Sequence, residues 1–187
     1  YNVEDLISDA EVHNQFGYEQ TVYLLLFGEL PTQEELDNFK EFLGSFRTLP
    51  ANFTEDMIMK APSSDIMNKL ARGVLASYSY DKDPEDRSIK NILHQCIALI
   101  SRFGTLTAYG YQAKRRYYDG KSMYIHNPAP NLSTAENFLR LIRSDKSYTR
   151  LEAEILDLAL VLHADHGGGN NSTLTVHVVS SADTDTY

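Results

Sequence analysis

Three short segments of this chain have the pattern of a capping box, in which a serine or threonine and a glutamate three residues later bond to each other's backbone at the start of a helix. The pairs are Thr32 with Glu35, Ser133 with Glu136, and Thr149 with Glu152. Apolar residues follow the first and third boxes at spacings of three and four, which places them on one helix face. They are Leu36, Phe39, Leu43 and Phe46, then Leu151, Ile155, Leu158 and Leu162. The pattern predicts an all-α fold.

Two more helices are indicated between the first two boxes. Residues 18–27 predict a buried helix, and Gly28 is suited to the left-handed conformation that ends many helices. The sequence Pro-Ser-Ser-Asp at 62–65 is typical of a helix start. Apolar residues follow it at helical spacing: Ile66, Leu70, Val74 and Tyr78.

The longest predicted helix begins at Asp83 and Pro84, with aspartate as the cap and proline in the first turn. It runs for roughly 30 residues, or about 45 Å, toward a turn at Asp119 and Gly120. Its main apolar stripe is Ile89, Leu93, Cys96, Ile100, Phe103 and Tyr111. Because further apolar residues lie off that stripe, we expect this helix to be central or to lie at a subunit contact.

One segment conflicts with the helical pattern. Residues 173–179 are rich in β-branched side chains and alternate with period two, which locally favours a strand. A strand without a partner elsewhere in the chain would leave its backbone groups unpaired. We therefore predict a helix here as well.

Composition limits the class of protein. The 187 residues fit one domain or a large part of one. A formal net charge of -9 disfavours nucleic acid and anionic membranes as partners. The longest apolar run, residues 22–27, is far shorter than the roughly 20 residues that span a bilayer. The chain begins without methionine or a targeting signal, so we expect it to be a piece of a longer protein.

A cluster of cations near the end of the long helix has two interpretations. Lys114, Arg115, Arg116 and Lys121, beside two tyrosines, resemble a phosphate or nucleic-acid patch. We favour the alternative that they complement the helix dipole, because the surrounding charge is acidic. The single cysteine, Cys96, lies on an apolar stripe and is predicted to be a core residue rather than a nucleophile.

The most informative stretch begins at the end of the last capped helix. His163 and His166 lie one turn apart, and three glycines then allow a sharp turn before Asn170, Asn171 or Ser172 caps another helix. Such a helix start attracts anions, and an imidazole beside it suits a carboxylate substrate. The alternative is a polar helix end with a glycine stop.

A metal site is a weaker interpretation of the same stretch. His163, Asp165, His166 and His177 are all potential ligands. Zinc sites on one helix prefer two histidines at a spacing of four, whereas here the spacing is three and the glycines interrupt the helix. We therefore expect no metal.

Four segments, in order, resemble the citrate synthase family, which includes the 2-methylcitrate synthases. The most specific is LHADHGGGNNST at residues 162–173. The others are TVYLLLFGELPTQEEL at 21–36, LSTAENFL at 132–139 and DTDTY at 183–187, the last resembling the lead-in to the family's active-site helix. The resemblance as a whole extends over nearly the whole chain.

The resemblance implies that residues 1–187 are part of the large helical domain of such an enzyme, without its small domain and C-terminal part. The parent enzyme would condense acetyl-CoA with oxaloacetate to citrate and CoA as a homodimer that associates through long helices. Acetyl-CoA would be a substrate rather than a cofactor. His166 matches the family's oxaloacetate-binding histidine, and Asn170 matches an asparagine that shapes the same pocket. The family's two catalytic histidines, its catalytic aspartate and its substrate-binding arginines have no match here. We therefore expect this chain alone to be inactive.

Two alternatives remain at this stage. The parent enzyme would be a 2-methylcitrate synthase if it prefers propionyl-CoA. The chain would instead be a non-catalytic interaction module if association through the long helix is its function. The form of the glycine-rich motif favours the cytoplasm of a bacterium.

Overall fold

The computed structural model describes residues 1–165, 167 and 169–187, and this part of the chain is helical without a strand. A π-helical segment (Thr54–Met59) and a 3₁₀ turn (Tyr78–Tyr80) flank the fourth α-helix. The α-helices are α1 (Val3–Val12), α2 (Tyr18–Phe27), α3 (Gln33–Phe46), α4 (Ile66–Ser77), α5 (Ile89–Tyr117), α6 (Thr134–Ile142), α7 (Arg150–Leu162) and α8 (Asn171–Ser181). The predicted all-α class is confirmed.

All three predicted capping boxes are formed. Thr32, Ser133 and Thr149 each accept a hydrogen bond from the backbone N–H of the glutamate three residues on. Each glutamate accepts one from the cap residue's N–H in return. Because these local bonds satisfy donors that a helix start leaves open, they set the first residues of α3, α6 and α7.

Other predicted helix ends are also confirmed. Gly28 ends α2 with a φ of 81° and donates its N–H to the Leu24 carbonyl. Asp65 caps α4 by accepting the Asn68 N–H. Residues 173–179 lie within α8, so the global helical pattern, rather than the local strand propensity, determines their structure.

The predicted start of the long helix is wrong. Helix α5 begins at Ile89 with Ser88 as its cap, so Asp83 and Pro84 lie in the preceding turn. The Asn91 side chain folds back from the first turn of α5 and donates to the carbonyl oxygens of Asp83 and Asp86. These bonds hold residues 83–86 outside the helix.

Helix α5 is central, but its buried face differs from the predicted stripe. Ile89 is 86% exposed and Phe103 is 45% exposed. The residues buried between α5 and its neighbours α3, α4 and α6 include Ile97, Leu106 and Tyr109. Small residues such as Ala108 and Gly110 also lie on this face, which lets the helices approach closely.

Two clusters of buried apolar residues form the core. The larger one joins the π-helical segment, α4, α5 and α6, and the smaller one joins α2, α3 and α5. The larger cluster consists of Leu49, Phe53, Ile58, Leu70, Leu106, Ala108, Tyr109, Ala113 and Leu141, and the smaller of Val22, Phe39, Leu43 and Ile97. Within the described residues, the helices fall short of the length and apolar character that crossing a membrane requires.

Candidate functional site at the junction of α7 and α8

The sequence places the candidate site where α7 ends, and α7 is fixed by a buried carboxylate. Asp157 is 6% exposed, and its Oδ2 accepts a 2.7 Å hydrogen bond from the Gly17 N–H. Its Oδ1 lies 3.3 Å from the Tyr18 N–H. Because Gly17 has no side chain to cap α2, Asp157 of α7 performs that function from another part of the chain.

The apolar stripe that predicts α7 faces away from this contact. Leu151, Ile155, Leu158 and Leu162 are between 39% and 64% exposed. Ala153, Asp157 and Val161 are the buried residues instead. The first three of the stripe residues line a 360 Å³ groove between α1 and α7.

The last turn of α7 brings His163 to the start of the glycine-rich stretch. His163 is the C-cap residue, and its Nδ1 lies 2.7 Å from the Ala159 carbonyl oxygen. Since a carbonyl oxygen only accepts, Nδ1 carries the proton in this contact. This side chain therefore bonds to the end of its own helix.

Between α7 and α8, side-chain hydrogen bonds from described residues close a turn at Gly167. Gly167 has a φ of 68°, a left-handed conformation that side chains disfavour. Its N–H donates to Asp165 Oδ1 at 2.9 Å. Its carbonyl oxygen accepts from Asn170 Nδ2 at 2.9 Å and from the Thr173 hydroxyl at 3.1 Å. The turn is thus closed by side chains on both sides of the glycine.

Asn170 is the N-cap of α8. Its Oδ1 accepts the Thr173 N–H at 2.9 Å. The two hydrogens of its Nδ2 point to the Gly167 carbonyl and to Thr173 Oγ1. Because all of these bonds are internal, the geometry suits a residue that shapes the turn rather than one that contacts a ligand through its amide.

The predicted binding residue His166 lies outside the described residues, so its role stays a prediction. His177, the other histidine of the weaker metal interpretation, lies on the exposed surface of α8. Among the residues that the structure describes, none of the histidine, cysteine and carboxylate side chains form a cluster of three able to hold a metal ion.

The cations near the end of the long helix have a local role. Lys114, Arg115 and Arg116 lie in the last turn of α5, and Lys114 forms an ion pair with Asp119 at 3.2 Å. This placement matches the helix-dipole interpretation.

Cys96 is half-buried, and burial raises the pKa of its thiol, which disfavours the nucleophilic thiolate.

Sequence reasoning missed the contacts that hold the far end of α8. After this helix, Tyr187 donates to Asp81 at 2.6 Å and Thr186 donates to Gln95. Asp183 forms an ion pair with Arg87. These partners lie some 90 to 106 positions apart in the chain, so no local pattern relates them.

Comparisons with known proteins define the family. The family model described as "Citrate synthase, C-terminal domain" matches residues 1–187. The chain belongs to an enzyme family with a helical fold. That family is the citrate synthase family.

Individual relatives agree with that assignment. The chain is 31% identical to a citrate synthase of Saccharolobus solfataricus, covering 100% of this chain and 45% of the relative. It is 30% identical to a citrate/2-methylcitrate synthase of Bacillus subtilis, covering 98% and 46%. The crystal structure of citrate synthase from Pyrobaculum aerophilum superimposes with a TM-score of 0.83 at 28% identity, covering 100% and 45%. The chain thus spans less than half the length of these proteins.

Proposed function

We propose that the protein containing this chain is a citrate synthase, which converts acetyl-CoA, oxaloacetate and water to citrate and CoA. The family match over all 187 residues carries this proposal. The local geometry supports it, because a turn at Gly167 is followed by a helix start at Asn170. A helix start presents backbone N–H groups and the positive end of the helix dipole, both of which favour a dicarboxylate.

Within this proposal, His166 binds oxaloacetate and Asn170 shapes the pocket. A protonated or N–H-donating imidazole beside the helix start would polarise and hold the anionic substrate. Acetyl-CoA is then enolised by a carboxylate base, attacks the keto carbon of oxaloacetate, and the resulting citryl-CoA is hydrolysed. We propose that the base and the remaining catalytic groups belong to parts of the protein outside this chain.

The first experiment measures CoA release. We expect the whole protein to release thiol from acetyl-CoA only when oxaloacetate is present, and the isolated 187-residue chain to release none, because proton transfer needs the absent groups within hydrogen-bond reach. Turnover by the isolated chain would contradict its expected inactivity.

The second experiment tests His166. In the whole protein, His166→Ala should weaken oxaloacetate binding, and His177→Ala, on α8, is the matched control. Equal affinity in wild type and His166→Ala would refute the assignment of His166.

A second candidate is a 2-methylcitrate synthase that uses propionyl-CoA. The Bacillus subtilis relative carries both activities in its name, and a relative from Corynebacterium glutamicum that is 31% identical is a 2-methylcitrate synthase. Running the thiol-release assay with both acyl-CoA esters separates the two, because the larger kcat/KM identifies the preferred substrate.

We also propose a homodimer. The exposed side chains of α8 include Leu174, Val176, Val178 and Val179, which are 49% to 66% exposed. Such an apolar surface is typical of a region that another surface covers. The mass of the whole protein by light scattering tests this proposal. A dimer without any condensing activity would instead favour the non-catalytic interaction module.

The location of the protein in the bacterial cytoplasm stays a prediction.

A further inference from the structure

Two buried carboxylates beside the start of α2 connect three helices. Asp157 of α7 is 6% exposed and accepts the N–H groups of Gly17 and Tyr18 at 2.7 and 3.3 Å. Glu19 of α2 is 1% exposed, and its Oε1 accepts the N–H of Thr134, the first residue of α6, at 2.6 Å. One carboxylate thus caps α2 from α7, and the other caps α6 from α2. We call Asp157 and Glu19 the acid pair.

An ion pair closes the third side of this arrangement. Arg143, which follows α6, donates from Nη1 and Nη2 to the two carboxylate oxygens of Glu152 at 3.0 and 2.5 Å. Glu152 lies in the first turn of α7. Each of the helices α2, α6 and α7 is therefore bonded to the other two near a helix end. We call this arrangement the α2–α6–α7 junction.

The acid pair has fewer hydrogen-bond donors than oxygens. Three backbone N–H groups serve its four oxygen atoms. Glu19 Oε2 is buried and, within the described part of the chain, has no hydrogen-bond partner. Burial of two carboxylates that repel each other disfavours the doubly charged state. A proton bound by either carboxylate removes one of the two like charges.

The surrounding charges leave Asp157 as the member that binds the proton. Burial is the largest influence and raises the pKa of Asp157, the N–H of Gly17 acts to lower it, and the charge of Glu19 raises it again, to about 6. Lys40 acts weakly in the opposite direction. The ionisable side chains around the pair are Glu11 of α1, Tyr18 of α2, Lys40 and Glu41 of α3, Arg47 after α3, Glu136 of α6, and Arg150 and Glu154 of α7.

We propose that the acid pair is a proton-binding switch, which takes up one proton as the solution becomes acidic and thereby stabilises the α2–α6–α7 junction. The proton comes from water and forms an O–H bond on Asp157, so that one negative charge disappears. Opening of the junction exposes Asp157 to water, where it binds the proton more weakly, and protonation therefore favours the closed state. Because Glu19 caps α6 and interacts with Asp157, the starts of α2 and α6 respond to the same proton.

Hydrogen exchange of the whole protein at pH 5 and pH 7 tests the switch without using activity. After correction for the intrinsic exchange rates, we expect the protection of residues 18–22 and 134–138 to fall about tenfold between pH 5 and pH 7. This factor follows from a pKa of about 6 in the closed state and 3.8 in the open state. The amides of α4, on which neither carboxylate lies, should change by less than about twofold. An equal response in α2, α4 and α6 would overturn the local switch in favour of global unfolding.

Two variants test whether the pair acts as a unit. Asp157→Asn removes the group that titrates, so the response to pH should disappear at the start of α6 as well as at the start of α2. Glu19→Gln keeps an oxygen that accepts the Thr134 N–H but removes the neighbouring charge. The pKa of Asp157 should then fall by about half a unit, and the change in protection should shrink from about tenfold to about fourfold.

Glu34→Gln, in the first turn of α3, is the matched control and should keep the response of wild type. A full response at the start of α6 in Asp157→Asn would overturn the coupling. If Asp157→Asn does not fold, Glu19→Gln decides, because an unchanged tenfold response in that variant would contradict the acid pair. A whole protein that releases no CoA would refute the proposed function and leave these measurements unaffected.

Discussion

Asp157 Oδ2 accepts a 2.7 Å hydrogen bond from the backbone N–H of Gly17, which lies 140 positions earlier in the chain. The contact joins the start of α2 to the helix that leads into the candidate site. Burial raises the pKa of Asp157 to about 6, although the hydrogen bond from Gly17 acts in the opposite direction, and the nearby Glu19 raises it further. A structural carboxylate of this fold therefore titrates close to neutral pH.

This raised pKa makes stability depend on pH. At pH values between 3.8, the ordinary pKa, and about 6, the raised pKa, the folded state holds the Asp157 proton more tightly than the unfolded state does. The contribution to the free energy of unfolding is thus fully present below pH 3.8 and is lost as the pH rises through 6. A shift of this size corresponds to about 3 kcal/mol.

Asp157→Asn should remove that contribution. We expect the melting temperature of wild type, measured relative to Asp157→Asn, to fall between pH 5 and pH 7, a range of about two units around the raised pKa. Asp5→Asn, at an exposed position on α1, is the control and should follow wild type. A constant difference between wild type and Asp157→Asn over this range would contradict the raised pKa.

Local signals in the sequence predicted most helix starts because the bonds that form them span three residues. The caps at Thr32, Ser133 and Thr149 depend only on their own turn. Asn170 follows the same rule, so its place at the start of α8 was among the predicted alternatives. The fold class and the turn of the candidate site could thus be derived without a structure.

The errors arose where side chains outside the local capping pattern decide the structure. Asn91 bonds back to Asp83 and Asp86, and this displaces the predicted start of α5 to Ile89. On α7, the buried position goes to Asp157 because α2 needs a cap, and the more apolar stripe faces outward. Helical periodicity identifies a helix and its faces but not which face a neighbour covers.

Gly44 offers a sharp test of helix packing. A Cβ added there would lie 2.1 Å from the Pro130 carbonyl oxygen, a backbone atom that moves only with its loop. Gly44→Ala should therefore destabilise the protein by about 1–3 kcal/mol in chemical unfolding, despite the better helix propensity of alanine.

The matched control is Gly104→Ala on α5. There the added Cβ meets Phe138 at 3.9 Å, an ordinary van der Waals distance. We expect this variant to be neutral or up to about 1 kcal/mol more stable, since alanine favours a helix over glycine. Equal effects at the two glycines would show that the close approach of α3 to Pro130 does not limit stability.

Arg47 anchors the loop before α6. It is 3% exposed, and its Nη1 donates to the carbonyl oxygens of Ala129 and Leu132, each at 2.6 Å. Arg47→Met keeps much of the volume but leaves both carbonyls without their donor. We expect a loss of about 3 kcal/mol in unfolding free energy, as for breaking a buried charged network. Arg72→Met, at an exposed position on α4, should change it by less than about 0.5 kcal/mol.

Glu152 titrates in the opposite direction from Asp157. Hydrogen bonds from Arg143 and from the backbone and hydroxyl of Thr149 lower its pKa to about 2. The stabilisation from its charged form is present above its ordinary pKa of 4.5 and is lost as the pH falls through 2. Carbon-detected NMR titration should give a midpoint near 2 in wild type and a higher one in Arg143→Gln. A midpoint at 4.5 in both would contradict the contact.

Asn170 and Asn171 are adjacent asparagines with different expected contributions to α8. Asn170→Ala removes the acceptor of the Thr173 N–H and both bonds that Nδ2 makes across the turn. Loss of an N-cap costs about 1 kcal/mol, so the amides of α8 should exchange about fivefold faster. Asn171→Ala changes the first helical residue and leaves the Asn170 cap in place. Because alanine is a better helix former than asparagine, this variant should slow exchange of the α8 amides slightly or leave it unchanged. Identical exchange in the two variants would mean that Asn170 does not hold the turn at which we place oxaloacetate.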